Sequence, residues 1–169
     1  MKVSVIIPTY KPKDYLWDCL DSLVVQTMSK DDYEIILVLN GCSSPYKSKI
    51  EGYIKNKMKN IHVNFIYTEQ CGVSNARNLA LDQSKGEFIT FIDDDDFVSP
   101  RYLESLYYRA GESTISMCYP LSFKDGTEDY QAFYITKDYR PSHVDVPCSW
   151  ITARRYFNGP VYKLIHRNI

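Results

Sequence analysis

Hydrophobic residues in the first 110 positions form short runs that predict β-strands. The run from Val3 to Ile7 is largely β-branched and apolar, as expected for a strand buried on both faces of a parallel sheet. A second run of the same kind extends from Tyr33 to Leu39. At residues 61–67, apolar positions alternate with more polar ones, which predicts a strand with unequal faces near the edge of the sheet.

Between these runs, apolar residues recur every three or four positions, the period of a helix that buries one face. The predicted helices cover residues 14–26, 44–58, 73–82 and 100–110. Ser44-Pro45 and Ser99-Pro100 each match an N-cap followed by the first helical position, and Gly86 is expected to close the third helix as a C-cap. Strict alternation of strands and helices predicts a parallel, doubly wound α/β sheet.

Beyond Gly111 the pattern changes. Residues 115–123 and 130–135 are strand-like and are separated by the turn-forming residues 124–127, which predicts a small β hairpin. The remainder, from Lys137, is rich in aromatic and basic residues and only weakly periodic. We interpret it as the start of a second, substrate-facing layer.

Composition and net charge indicate what kind of protein this is and what kind of partner it binds. Of the 169 residues, 44% are hydrophobic and 24% are charged, which is ordinary for one soluble domain. The formal net charge of −1 gives no general attraction to nucleic acid or to an anionic membrane. We therefore expect a small-molecule partner and no nucleic acid.

Cysteine usage and the amino-terminal residues bear on the compartment. The five cysteines are widely spaced and never form Cys-x-x-Cys, which argues against a zinc site or a disulfide framework and favours a reducing cytosol. The apolar run before Pro8 is too short for a signal peptide or a spanning helix. No membrane segment is expected in this chain.

Four consecutive carboxylates, Asp93 to Asp96, end a short apolar run that begins at Phe88. Adjacent acids at the end of a buried strand repel one another, and a divalent cation is the simplest way to stabilise them together. Oxygen ligands suit Mg²⁺ or Mn²⁺, and open α/β sheets bind ligands at the carboxyl ends of their strands. The alternative is a solvated acidic turn that caps the following helix.

Four motifs carry a resemblance to a known family. They are Val3-Ser4-Val5-Ile6-Ile7-Pro8-Thr9-Tyr10, Ser22-Leu23-Val24-Val25-Gln26-Thr27, Gly72-Val73-Ser74-Asn75-Ala76-Arg77-Asn78, and Gly86-Glu87-Phe88-Ile89 leading to the four aspartates. In this order they resemble a family 2 glycosyltransferase of the GT-A fold. The resemblance covers residues 1–110, and more faintly Gly159 to Arg167.

The resemblance implies a single GT-A domain over residues 1–169. Its Rossmann-like, mostly parallel sheet is flanked by helices, and a small β hairpin lies toward the carboxyl-terminal end. Residues 1–110 would be the nucleotide-sugar-binding part, and residues 111–169 an incomplete acceptor-side part.

The implied activity is that of an inverting, metal-dependent hexosyltransferase in cell-surface polysaccharide synthesis. It would move a sugar from a nucleotide-diphosphate donor, expected to be a UDP-sugar, to a hydroxyl of a saccharide or lipid-linked saccharide. The expected location is the cytoplasm, peripheral at the inner membrane face. The alternative is a fragment or degenerate relative that holds nucleotide-sugar and metal without transfer.

Two further classes of protein share part of the pattern. A dinucleotide oxidoreductase also begins with a βαβ unit, but it is disfavoured because the first strand runs into Pro8-Thr9-Tyr10 and not into a Gly-x-Gly-x-x-Gly turn. A phosphate-transfer switch domain also carries acids at its strand ends, yet it explains the motif from Gly72 to Asn78 poorly.

The resemblance also implies roles for particular residues. Nucleotide-sugar binding falls on Pro8, Thr9, Tyr10, Asn40, Arg77, Asp93 and Asp94. Asp93 or Asp94 would hydrogen-bond the ribose, and Asp95 would be the ligand of Mn²⁺ or Mg²⁺. Asp96 would position a loop or the acceptor, or else cap the next helix. Outside the motif, Arg77 would be interpreted as a solvated or ion-paired surface residue.

The chain departs from the family pattern at two places. After the second strand the family usually has acids, one of which contacts the base, whereas this chain has Leu39 and Asn40. The neutral amide both donates and accepts hydrogen bonds, so base selectivity stays open.

The second departure concerns the carboxylate that removes the acceptor proton. In the family it lies in a Glu-Asp-type motif beyond the Lys-Leu segment, and this chain ends at Ile169. The late acids Asp125, Glu128, Asp129, Asp138 and Asp145 form no such motif. The catalytic residue is thus unknown, and we expect a truncated chain that is inactive alone.

Overall fold

The computed structural model describes residues 1–118, 121–123, 130–132 and 163–168. Its elements in chain order are β1 (Val3–Thr9), α1 (Tyr15–Val24), β2 (Tyr33–Asn40), α2 (Tyr46–Lys57), β3 (His62–Thr68), α3 (Val73–Gln83), β4 (Phe88–Phe91), α4 (Tyr102–Tyr108), β5 (Ser116–Met117), β6 (Leu121–Phe123), β7 (Tyr130–Ala132) and β8 (Lys163–His166). Six of the strands form one sheet in the order β3-β2-β1-β4-β8-β5.

The sheet is mostly parallel. Strands β1 to β4 pair in parallel, and β8 runs antiparallel to both β4 and β5. Strands β6 and β7 pair antiparallel with each other. The predicted fold class, a mostly parallel α/β sheet flanked by helices with a small β hairpin, is confirmed.

Strand β1 continues two residues beyond its predicted end and includes Pro8, although proline is rare inside a central strand. Pairing with β4 ends at Ile6, whose carbonyl oxygen accepts from the Ile92 amide at 3.0 Å. Alternate residues of a parallel strand bond to the same neighbour, so the N–H that Pro8 lacks would point past the end of β4. The strand therefore keeps its ladder with β2 as far as Thr9.

Side chains of the sheet enter two separate apolar clusters, one on each face. Val5 and Ile7 lie in a large cluster with residues of α1, α2 and α4, such as Leu20. Ile6 points the other way and packs with Ala76 and Ala80 of α3. Every residue of β1 and β2 is buried, whereas β3 at the edge is only partly buried, as its alternating pattern predicted.

Three predicted helix caps are wrong, and helices α1 and α4 each end two residues before the predicted position. Pro45, not Ser44, occupies the N-cap of α2. Helix α4 begins at Tyr102 with Arg101 as N-cap, two residues later than Pro100. Helix α3 ends at Gln83, and its C-cap Ser84 is already extended, with φ −72° and ψ 141°.

Gly86 has a different role from the predicted helix cap. A Cβ atom on Gly86 would lie 2.4 Å from the Ser4 nitrogen and 2.6 Å from the Val3 carbonyl carbon. The residue is a glycine because the chain passes directly against the backbone of β1 as it enters β4.

A buried network of hydrogen bonds connects β1, β2 and the residues that lead into β4. The Ser4 hydroxyl donates to Glu34 Oε1 at 2.6 Å and accepts from the Gly86 amide at 2.8 Å. Glu34 Oε1 also accepts from the Lys85 amide at 2.6 Å. Arg167, just after β8, donates to the Ser84 hydroxyl at 2.8 Å, so the last described residues are fastened to the end of α3.

Several sequence-based predictions fall outside the described residues. These are the turn at 124–127, residues 133–135 of the second hairpin strand, the acceptor-side segment up to residue 162, and the late acids Asp125, Glu128, Asp129, Asp138 and Asp145. Within the described ranges, no helix is both long enough and apolar enough to cross a membrane.

Candidate functional site

The candidate site lies at the carboxyl ends of β1, β2 and β4, where the strand order reverses between β1 and β4. Reversal of strand order opens a crevice in which α/β sheets bind ligands. A cavity of about 390 Å³ occupies this position, and it is lined by Pro8, Thr9, Tyr10, Asn40, Cys71, Gly72, Val73, Asp93 and Asp94. Six of the residues predicted to bind the nucleotide-sugar are therefore neighbours, because parallel strands bring their ends together.

The seventh predicted residue, Arg77, does not line the cavity but bonds to one of the acids that do. Its Nη2 donates to Asp93 Oδ1 at 2.7 Å, and the side chains of Arg77 and Asp93 are 20% and 40% exposed. The guanidinium carbon lies 5.8 Å from the centre of the Phe91 ring. Arg77 Nε is buried and finds no hydrogen-bond partner among the described residues. Arg77 therefore forms an ion pair with Asp93 from the α3 side.

Asp94 has a neutral partner. Its Oδ2 accepts a hydrogen bond from the Thr9 hydroxyl at the end of β1. Burial raises the pKa of Asp94, the Thr9 bond opposes this rise, and the charges of Asp95 and Asp93 add to it. Neighbouring carboxylates thus meet different environments, one beside a guanidinium and one beside a hydroxyl.

Asp95 is the exposed member of the run. Its carboxylate takes part in no hydrogen bond or ion pair within the described part of the chain, whereas Asp96 closes the turn by donating its amide to the Asp93 carbonyl oxygen at 3.1 Å. No three His, Cys, Asp or Glu side chains in the described ranges converge on one point. Mg²⁺ and Mn²⁺ need only one or two carboxylates when water and phosphate complete their shell, so Asp95 fits such an ion.

Asn40 joins three parts of the cavity wall. Its Nδ2 donates to the Thr9 carbonyl oxygen at 2.8 Å, and its Oδ1 accepts from the Gly72 amide at 3.0 Å. The residue is 3% exposed, and Leu39 beside it is fully buried. Both polar atoms of the amide are engaged by backbone, which supports the wall, and the predicted base contact would have to use the second N–H or the second lone pair of Oδ1.

Tyr10 forms the outer wall of the cavity and is 51% exposed. Its ring packs on Gly41, where an added Cβ would lie 2.8 Å from Tyr10 Cε2 and 2.7 Å from Cys71 Sγ. Gly41 also has a φ of +91°, a conformation that favours glycine. The turn after β2 is therefore kept small enough for an aromatic ring to lie over it.

Sequence reasoning assigned no role to Ser22 and Gln26, which fasten the chain that follows the acids. Gln26 Nε2 donates to the Ser99 carbonyl oxygen at 2.8 Å, and the Ser22 hydroxyl accepts from the Val98 amide at 3.2 Å. The sequence did contain a signal for the role of Gln26. This residue follows Leu23 by three positions and so continues the apolar stripe of the helix predicted over residues 14–26. A polar residue on a buried stripe is expected to satisfy its hydrogen bonds inside the protein.

For the UDP site that the family resemblance implies, Arg77→Ala is expected to weaken binding by about tenfold, because the uncompensated Asp93 carboxylate would repel the diphosphate. A double-mutant cycle with Asp93→Asn, measured by calorimetry, separates two roles for the arginine. If Arg77 acts by compensating the Asp93 charge, adding Asp93→Asn to Arg77→Ala restores part of the lost affinity. Additive losses would instead indicate that Arg77 contacts the nucleotide itself.

Comparisons with known proteins identify relatives over most of the described chain. The model of the family described as "Glycosyl transferase family 2" matches residues 4–159. Poly(ribitol-phosphate) beta-glucosyltransferase of Bacillus spizizenii is 40% identical over 107 residues, which are 63% of this chain and 17% of that protein. Poly(ribitol-phosphate) beta-N-acetylglucosaminyltransferase TarS of Staphylococcus aureus is 36% identical over 104 residues, 62% of this chain and 18% of that protein.

A solved structure with the same fold has been captured with a ligand. Residues 1–349 of S. aureus TarS in complex with UDP-GlcNAc match with a TM-score of 0.60 and 31% identity, over 68% of this chain and 33% of that one. The chain thus spans about a fifth of the length of the two relatives and a third of the solved structure.

Proposed function

Since the chain belongs to glycosyl transferase family 2, we propose that it binds a nucleotide-sugar donor and transfers the sugar to a hydroxyl acceptor. The observation that carries the proposal is the cavity at the ends of β1, β2 and β4, where Asp93 and Asp94 line the wall and Asp95 extends into solvent beside them. A volume of about 390 Å³ lies in the range of small-molecule sites.

A UDP-sugar is the proposed donor. One related structure, 31% identical, holds UDP-GlcNAc, and the names of two relatives specify glucose and N-acetylglucosamine as the sugars transferred. In this chain Pro8, Thr9 and Tyr10 would contact the nucleotide from the end of β1. Asp93 or Asp94 would accept hydrogen bonds from the ribose, and Asp93 keeps one oxygen for this purpose because Arg77 engages the other.

Asp95 is the proposed ligand of Mn²⁺ or Mg²⁺. The ion would offset the negative charge of the donor diphosphate and stabilise the diphosphate as it leaves. The protein's own part is to hold Asp95 exposed next to Asp94 of the cavity wall, with Asp93 paired with Arg77 and Asp94 bonded to Thr9. These contacts leave Asp95 as the carboxylate in the turn that is free to enter an ion's coordination shell.

The acceptor would be a hydroxyl of a saccharide, a lipid-linked saccharide or, as the relatives' names specify for them, a poly(ribitol-phosphate) chain. Transfer with inversion requires a carboxylate that removes the acceptor proton as the oxygen attacks. That group stays unassigned. We propose that the enzyme works in the cytoplasm, at the inner face of the membrane, in the synthesis of a cell-surface polysaccharide.

Calorimetric titration of the 169-residue chain with UDP, and with GDP as control, tests the donor site. We expect UDP to bind in Mn²⁺ and to lose most of its affinity in EDTA, because the diphosphate needs the ion beside Asp95. Turnover of UDP-glucose and UDP-GlcNAc, followed as UDP release, then separates transfer from binding. UDP binding without any turnover would favour the nucleotide-sugar-binding module, and no binding of either nucleotide would remove both functions.

A further inference from the structure

The segment that follows the four aspartates is fastened to the last turn of α1. Gln26 and Ser22 bond to the backbone of Ser99 and Val98, as described above, and the Thr27 amide donates to the Pro100 carbonyl oxygen at 2.8 Å. These contacts reach from Ser22 in the last turn of α1, and from Gln26 and Thr27 just beyond its end, to residues 98–100, three to five positions beyond Asp95.

Gln26 also caps a second helix. Its Oε1 accepts from the Leu103 amide at 3.0 Å, whereas the side chain of the N-cap residue Arg101 makes no capping bond. The first amides of a helix lack partners of their own, so Gln26 supplies what the local sequence does not. At 5% exposure, these hydrogen bonds compete little with water.

The turn of aspartates therefore has two anchors. On its amino-terminal side the Ile92 amide bonds to the Ile6 carbonyl oxygen in the sheet, and on its carboxyl-terminal side Gln26 holds Ser99 and Leu103. In addition the Cys19 thiol, whose pKa is raised by burial and by the nearby carboxylates, donates to the Asp93 carbonyl oxygen at 3.7 Å. The exposed Asp95 has no comparable contact of its own among the described residues.

From this arrangement we propose that Gln26 is a positioning residue of the metal and nucleotide-sugar site: by tying the end of α1 to the start of α4, it sets where the acidic turn presents Asp95. The inference rests on the proposed function. It deepens that function by assigning a buried glutamine, absent from the cavity wall, to the affinity for the ion.

Gln26→Met tests the role, because methionine has a similar length and shape but forms none of the three hydrogen bonds that the Gln26 side chain makes, with Ser22, Ser99 and Leu103. We expect the Mn²⁺ concentration for half-maximal UDP binding to rise about tenfold, while UDP affinity at saturating Mn²⁺ changes by less than about twofold.

Ser4→Ala is the matched control. It removes a buried hydroxyl with two hydrogen bonds from the opposite end of the sheet, so it lowers the thermal midpoint without touching the acidic turn. If Gln26 were merely structural, Gln26→Met and Ser4→Ala would lower the midpoint and leave the Mn²⁺ requirement as in the wild type. That result would overturn the proposal.

Amide hydrogen exchange gives a second readout that needs no ligand. In Gln26→Met the amides of Asp96, Val98 and Leu103 should exchange about tenfold faster relative to those of β2, whereas Ser4→Ala should leave the ratio unchanged. Unchanged exchange at these amides would refute the positioning role even if UDP bound normally. If the wild-type chain bound no UDP at any Mn²⁺ concentration, the proposed function would be refuted. The effect of Gln26 on the acidic turn would still be decided by hydrogen exchange.

Discussion

Replacing Asp95 by alanine should reduce metal-dependent UDP binding by about a hundredfold or more, because the substitution removes the proposed protein ligand of the ion. Asp95 is exposed and makes no hydrogen bond or ion pair within the described ranges, so folding should not depend on it. Calorimetry in Mn²⁺ measures the loss of binding. The thermal midpoint, followed by circular dichroism, should stay within about 1 °C of the wild type.

Asp82→Ala provides the control for this substitution. Asp82 is an exposed acid near the end of α3, so its loss changes the net charge equally without altering the acidic turn. It should leave UDP affinity unchanged. Full UDP binding by Asp95→Ala would instead indicate that the four aspartates form a solvated acidic turn that caps a helix.

Gly86→Ala should destabilise the fold by about 3 kcal/mol, near the upper end of overpacking effects. The added methyl group would meet the backbone of Val3 and Ser4 at 2.6 and 2.4 Å. Neither atom can rotate away, because β1 is the strand that pairs with both β2 and β4. Urea unfolding followed by fluorescence or circular dichroism measures the free energy of unfolding.

Gly52→Ala makes the same chemical change where there is room for it. Gly52 lies inside α2, and no atom comes within 4 Å of its added Cβ. An alanine there should stabilise the protein by roughly 0.5–1 kcal/mol through helix propensity. Equal stability of Gly86→Ala and wild type would show that the chain between α3 and β4 can move away from β1.

Much of the fold could be predicted because it depends on local patterns. The buried strands β1 and β2 appear as continuous apolar runs, and the edge strand β3 appears as an alternating one. Strand β8 could not be predicted in the same way. It pairs with β4 across more than seventy positions, and periodicity within a segment says nothing about so distant a partner.

The helix ends also depend partly on local sequence and partly on distant contacts. Ser99-Pro100 is a good local start signal, yet α4 begins two residues later, where Gln26, which lies just beyond α1, accepts from the Leu103 amide. Gly86 looks like a helix cap in the sequence but is required by its closeness to β1. Local signals predict where a helix can begin or end, and tertiary contacts decide among the choices.

The position of the candidate site was predictable, and its internal bonding was not. Thr9, Asn40 and Asp94 each follow or end a strand, so parallel pairing brings them to one edge. The pairing of Arg77 with Asp93, and the use of both Asn40 polar atoms on backbone, depend on distances of a few ångströms. Residue types alone do not set such distances.

The place of β8 in the sheet has a consequence for the nascent chain. Although β8 is made about fifty residues after β5, it lies between β4 and β5 in the sheet. While the ribosome is still adding the intervening residues, one side of β4 has no strand to pair with, and an unpaired strand edge invites association with other chains. Binding of β8 to β4 is therefore the event that closes this sheet during synthesis.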